Sequence, residues 1–148
     1  MKAILSKRIV KVVGVLAVIV LLAACFIWWN SPRQIYARNN DALEDAVESI
    51  QKKGGTYDIS VSDVSSIVYL RDTESKNPRI EFSTSSFGVF PPVPYVGFYY
   101  SLDGEPVADE EGAQLVADGD GWKWTGTGDN KGRTWSIEGN WYAYTAWY

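Results

Sequence analysis

Three hydrophobic rhythms divide this chain of 148 residues. From Val12 to Trp29 runs an uninterrupted apolar stretch of eighteen residues with no charge. With Ile9 and Val10 included, and Lys11 snorkelling, it reaches about 21 residues, or roughly 30 Å of helix, the thickness of a bilayer core. It is apolar on every side, so it does not read as a half-buried helix of a water-soluble core. Next comes a helical period. Tyr36, Leu43, Val47 and Ile50 fall at spacings of seven, four and three, with Ala42 and Ala46 beside them. Asp41, Glu44, Asp45 and Glu48 occupy one broad face, and the apolar stripe needs a partner. Ser31-Pro32-Arg33-Gln34 reads as the helix start: a capping serine, a proline at the first helical position and a capping-box amide. Lys52 and Lys53 suit the C-terminal dipole, and Gly54-Gly55 stops the helix.

From Thr56 onward the period becomes two. Expected strands are Tyr57–Val61, Val64–Leu70, Arg79–Ser83, Val96–Tyr100, Trp122–Trp124, Arg133–Glu138 and Trp141–Tyr148. Between the later strands lie turn formers: Asp103-Gly104, Asp118-Gly119, Asp120-Gly121, Asp129 to Gly132 and Gly139-Asn140. Short strands with tight turns imply antiparallel pairing. Thr84 to Pro94 breaks the pattern. It is apolar, but Pro91, Pro92 and Pro94 lack amide donors, so an extended loop is expected there. The expected fold class is α+β: an N-terminal transmembrane or signal-anchor helix, one amphipathic helix, then an antiparallel β-meander of about six or seven strands. Residues 1–30 form the anchor and residues 31–148 the folded domain.

Charge gives the arrangement a direction. Lys2, Lys7, Arg8 and Lys11 precede the apolar run, with no acid among them. All eighteen acids follow Asn30, against ten basic residues, so the folded part carries about −8. Basic residues stay on the cytoplasmic side, and Trp28 and Trp29 fall where an outer aromatic belt belongs. The expected location is the cell membrane of a bacterial-type envelope, single-pass, with residues 31–148 outside the cytoplasm. An acidic domain repels nucleic acid, which is not an expected partner. The chain has no histidine and one cysteine, Cys25. Histidine-based zinc sites, Ser-His-Asp and Cys-His arrangements and an intrachain disulfide are therefore excluded.

Leu22-Ala23-Ala24-Cys25, preceded by a basic and then an apolar region, resembles the lipobox of bacterial lipoproteins. That resemblance implies lipidation at Cys25, which would become the new N-terminus. Phe26-Ile27-Trp28-Trp29 prolongs the apolar run where lipoproteins continue with small or polar residues. An uncleaved span, a lipid tether and a cleaved signal remain as alternatives, and the first two place the domain on the outer face.

The candidate chemistry is sparse. Asp118-Gly119-Asp120-Gly121 resembles the opening of an EF-hand loop. Trp122 at the fifth position and Lys123 at the sixth break the pattern, so a turn is expected and no metal. Asp109-Glu110-Glu111, with Glu105 nearby, is a run of acids that reads as a solvated charge cluster. A carboxylate-only hydrolase would need two of them across a cleft. The strand Trp141–Tyr148 is aromatic on both faces: Trp141, Ala143, Thr145 and Trp147 on one, Tyr142, Tyr144, Ala146 and Tyr148 on the other. It is expected to pair with Trp135–Ile137 through Gly139-Asn140 and close the sheet against Leu43, Val47 and Ile50. Its second face is then covered by loops, such as Phe87–Tyr95, or left open to a ligand. Trp122, Trp124, Tyr142 and Tyr144 are the candidate ligand-binding rings, since exposed aromatics stack on sugars. The expected function is a non-catalytic interaction domain without a cofactor, binding another envelope protein. A cell-wall polysaccharide binder is the alternative, and the carboxylate hydrolase a lower one.

Overall fold

The computed structural model of the chain describes residues 2–56, 58–71, 77–84 and 94–148. Two helices precede a seven-stranded antiparallel sheet. Helix α1 spans Lys2–Trp29. Its stretch Lys11–Trp29 is long and apolar enough to cross a membrane, and none of it is buried by the rest of the chain. Helix α2 spans Pro32–Lys53, with Pro32 in its first turn. Ser31 takes the extended cap conformation, but its side chain makes no capping bond. Instead, its carbonyl accepts the amides of Gln34 and Ile35, both at 3.0 Å. At the other end Gly54 turns left-handed at φ 71°, and its amide donates to the Ile50 carbonyl at 2.8 Å.

Arg38 fastens the joint between the helices. Its guanidinium donates to the Trp29 carbonyl at 2.6 Å, lies 4.4 Å from the centre of the Trp29 ring and pairs with Asp63 at 3.2 Å. Three contacts from one side chain tie the end of α1, the start of α2 and the approach to the sheet together.

The strands are β1 Val64–Leu70, β2 Arg79–Thr84, β3 Tyr95–Ser101, β4 Val116–Asp118, β5 Gly121–Thr125, β6 Lys131–Glu138 and β7 Trp141–Trp147. Their order across the sheet is β1-β2-β3-β7-β6-β5-β4. This is two meanders, not one. After β3 the chain crosses to the far edge, then returns through β4, β5 and β6 until β7 pairs with β3. The expected Tyr57–Val61 strand does not form: Ile59 to Val61 is irregular, and Asp58 and Asp63 flank it at φ 59° and 64°. Tyr57 lies outside the described residues. Ile59 and Val61 instead pack into the core beside α2, which is why they are apolar. Strand β4 was not expected, because three half-exposed residues carry no alternation. Its hairpin was legible, since Gly119 at φ 63° supplies the positive φ of the turn that pairs Asp118 with Gly121. The expected loop at Thr84 to Pro94 falls, from Ser85 to Val93, outside the described residues.

The stripe of α2 covers one face over β2, β3 and β7. Ile35, Tyr36, Leu43, Val47 and Ile50 pack on Ile80, Phe82, Phe98 and Trp141. Phe82 and Phe98 stack at 5.6 Å, and Trp141 closes against both. The β3–β4 connection, residues 102–115, lies as a strap across the other face. There Val107 and Ala108 pack on Tyr99, Trp124, Tyr142, Tyr144 and Ala146.

Candidate functional site

Trp122, Trp124, Tyr142 and Tyr144 do share one face of the sheet, as the alternation implied. Trp124, Tyr142 and Tyr144 are buried beneath the strap and Trp122 is half-buried, so these rings form a core layer rather than an open platform. Two strand glycines seat the rings. A Cβ at Gly97 would lie 2.8 Å from the Tyr144 ring, and one at Gly132 would lie 2.5 Å from the Trp124 ring. An interior strand glycine signals such a close approach.

The hydroxyls of Tyr99, Tyr142, Tyr144 and Tyr148 on this face each have a structural partner. Tyr99 accepts the Val107 amide at 2.9 Å and shares a 2.8 Å bond with Thr134. Thr134 itself donates to the Ala143 carbonyl at 3.0 Å. Tyr142 donates to the Gly104 carbonyl at 2.7 Å, and Tyr144 to Glu81 at 2.6 Å. Tyr148 donates to Asp109. Burial pushes the Tyr99 phenol up to about 12, against the smaller opposing effect of its hydrogen bonds. Burial first, then Glu81, raises Tyr144; burial first, then Asp109, raises Tyr148.

The acids of the strap serve the same layer. Asp109 pairs with the buried Arg79 at 2.9 Å, and Glu81 pairs with it at 3.2 Å. Glu110 accepts the Thr127 amide at 2.7 Å and the Asn130 side chain at 2.9 Å, which holds its carboxyl below the usual range. Glu111 and Glu105 are exposed. In the turn before β5, Arg133 takes the Asp118 carbonyl at 3.0 Å and the Asp120 carboxylate at 2.9 Å. Among the described residues, no group of three or more Cys, Asp or Glu side chains converges on a metal-sized site. Cys25 is exposed on α1, one turn before its end.

One open concavity lies between α2 and the β6–β7 turn. Tyr36, Asn40 and Glu44 come from one stripe of α2, four residues apart. Tyr100 comes from β3, and Glu138, Gly139, Asn140 and Trp141 from the turn. Together they line a cleft of about 350 Å³. Its floor is aromatic: Trp141 lies 5.2 Å from Tyr36 and 5.3 Å from Tyr100, the latter edge-on. The Trp141 indole donates to one Glu44 oxygen at 2.7 Å. Tyr36 is 95% buried (5% exposed), yet its hydroxyl takes no hydrogen bond from the described residues. Burial raises its phenol first, and Glu138 and Glu44 raise it further, so it remains a donor at neutral pH. Two carboxylates, a phenol oxygen that can accept and the half-buried Tyr100 ring suit an ammonium or guanidinium group.

Sequence reasoning put Tyr36 in the helix stripe and Trp141 on the face opposite Tyr142 and Tyr144, but it left open which face the helix covers and did not bring Glu44 and Glu138 to Trp141. The one local signal was the four-residue spacing of Tyr36, Asn40 and Glu44, which aligns them along α2. No protein-family model, curated protein or solved structure matches this chain.

Proposed function

We propose that this chain is a single-pass membrane protein, anchored by α1, whose residues 31–148 lie outside the cytoplasm and act as a non-catalytic interaction domain. Its cleft between α2 and the β6–β7 turn receives a basic side chain from another envelope protein. The observation that carries this reading is the placing of Glu44 and Glu138 in one cleft, where the Tyr36 hydroxyl takes no hydrogen bond from the described residues; it rests on these polar groups, because the Trp141 and Tyr36 rings are buried. The wall-polysaccharide alternative loses support because Trp124, Tyr142 and Tyr144 are buried. The hydrolase alternative loses support because Asp109 and Glu110 are already held as structural acceptors.

The test is a titration of the isotope-labelled full chain in nanodiscs with a short lysine-containing peptide, following the Trp141 indole N–H resonance. A saturable shift is expected, absent with a glutamate-containing peptide and lost in Glu44→Gln with Glu138→Gln. An unchanged indole resonance would remove the cleft from the function. Address is tested separately: a reporter fused after Tyr148 should be active only outside the cytoplasm.

A further inference from the structure

The sheet end opposite the cleft gathers Tyr95, Trp147 and Tyr148. The register fixes this: Tyr95 opposes Ala146, and Trp147 opposes Lys131. Tyr95 and Tyr148 are 59% and 56% exposed, yet they meet edge-on at 5.5 Å. They form an aromatic pair that faces outward. This end of the sheet also borders α1. Thr84 of β2 and Val96 of β3 line a groove of about 370 Å³ with Phe26, Ile27, Asn30, Ser31 and Pro32. Phe26 and Ile27 precede Trp29, the outer boundary of the apolar helix, by less than one turn, or under about 5.4 Å. Thr84 and Val96 therefore sit at the depth where hydrocarbon gives way to headgroups.

We propose that this sheet end, with Tyr95, Trp147 and Tyr148 at its rim, rests in the interfacial layer of the bilayer that α1 crosses. The contact rests on the anchor reading above and is a second membrane attachment beside the helix. Tyrosine and tryptophan favour that layer because their rings are apolar and their edges polar. The Arg38 clasp on Trp29 and Asp63 resists a swing of the sheet away from the joint. Most local charge is compensated: Asp63 is paired with Arg38, and Asp109 with Arg79 and Tyr148, while Glu110, the acid near Tyr148 without a cation partner, is held by the Thr127 amide and Asn130, and the exposed Lys131 opposes Trp147. Asp129 is exposed in the β5–β6 turn. The net charge of the domain disfavours anionic headgroups, so the fitting surface is a zwitterionic one.

The experiment places one environment-sensitive nitrobenzoxadiazole label per molecule on the full chain, in a Cys25→Ser background, reconstituted in phosphatidylcholine vesicles. The sites are Ile27→Cys in the anchor, Tyr95→Cys at the rim and Glu138→Cys at the opposite sheet end. Lipids spin-labelled near the headgroup supply the quencher. The expected result is quenching of the Tyr95 label approaching that of Ile27 and several-fold above that of Glu138, with a blue-shifted emission. Quenching at Ile27 but not at Tyr95 overturns the rim contact and leaves the anchor standing. A blue-shifted but unquenched Tyr95 label means that protein covers the rim, and also overturns the contact. An unquenched Ile27 label overturns the anchor reading and the rim contact with it.

Discussion

The two faces of the sheet are covered by different means. On one, α2 buries an apolar stripe against Ile80, Phe82, Phe98 and Trp141, and side-chain polar bonds are few. On the other, the strap brings only Val107 and Ala108 as buried apolar residues. It is held by the Tyr99 and Tyr142 hydroxyls and by Arg79 between Glu81 and Asp109. A helix satisfies its own backbone groups, so it can cover a face with side-chain packing alone. An irregular strap cannot, and its amides and carbonyls must find partners. That is why tyrosines, whose rings pack and whose hydroxyls bond, fill the strap-covered face.

The largest expected effect removes what both faces share. Strand β7 lies between β3 and β6 and supplies Trp141 to one face and Tyr142 and Tyr144 to the other. Burial of just two such rings, at roughly 25 cal/mol per Å² over ~150–250 Å² each, contributes several kcal/mol. This is comparable with the net stability of a whole domain. Deleting Trp141–Tyr148 from the full chain should abolish the cooperative thermal transition seen by circular dichroism. A retained transition would mean that β7 is dispensable to both layers.

The next pair of changes separates the faces. Phe98→Ala should cost about 3–5 kcal/mol through lost packing on the helix side. Arg79→Ala should cost a similar amount, about 3–5 kcal/mol, because Glu81 and Asp109 lose their shared cation. Denaturant unfolding tells the two apart. Adding Glu81→Gln and Asp109→Asn should recover much of the loss in Arg79→Ala and none in Phe98→Ala. Equal response would show that the two faces are not held differently.

Tyr99→Phe is the smaller strap-side change. It strands the Val107 amide and should cost about 1–2 kcal/mol. It should also alter the alkaline limb. The Tyr99 phenol is raised to about 12 in the fold, from an ordinary value near ~10. The stability linked to it is therefore complete below about pH 10 and lost as pH rises towards about 12. Unfolding followed against pH should fall less steeply there in Tyr99→Phe than in the parent chain.

The smallest effect is expected from Glu110→Gln, at the exposed staple to Thr127 and Asn130. Its carboxyl is held low, so its stabilisation is present above the ordinary glutamate value of about 4.3 and is lost on further acidification. A melting temperature measured from pH 7 down to about pH 3 should drop slightly less in the variant. A larger drop at neutral pH than that of Tyr99→Phe would reverse the ranking of the strap's attachments.

What the sequence determined by itself is local. The unbroken apolar run defines α1, and the spacing of Tyr36, Leu43, Val47 and Ile50 between Pro32 and Gly54 defines α2. Gly139-Asn140 makes the β6–β7 hairpin, in which Glu138 opposes Trp141. Alternation in Trp141–Tyr148 sorts its rings between two faces as found. Periodicity and turn chemistry are short-range properties, so a reader of the chain can recover them. The tertiary structure decided which strand β7 meets on its other side, and which segment covers the tyrosine face. The pairing of β3 with β7 and the crossing of residues 102–115 depend on the relative burial of distant surfaces. The cleft is of the same kind: Glu44 and Trp141 are 97 residues apart in sequence, and neither residue's local pattern carries the other's position. The Tyr57–Val61 alternation shows the limit from the other side. Val61 is buried and Ile59 half-buried, but Ile59 to Val61 is irregular, so the pattern marks burial without making a strand.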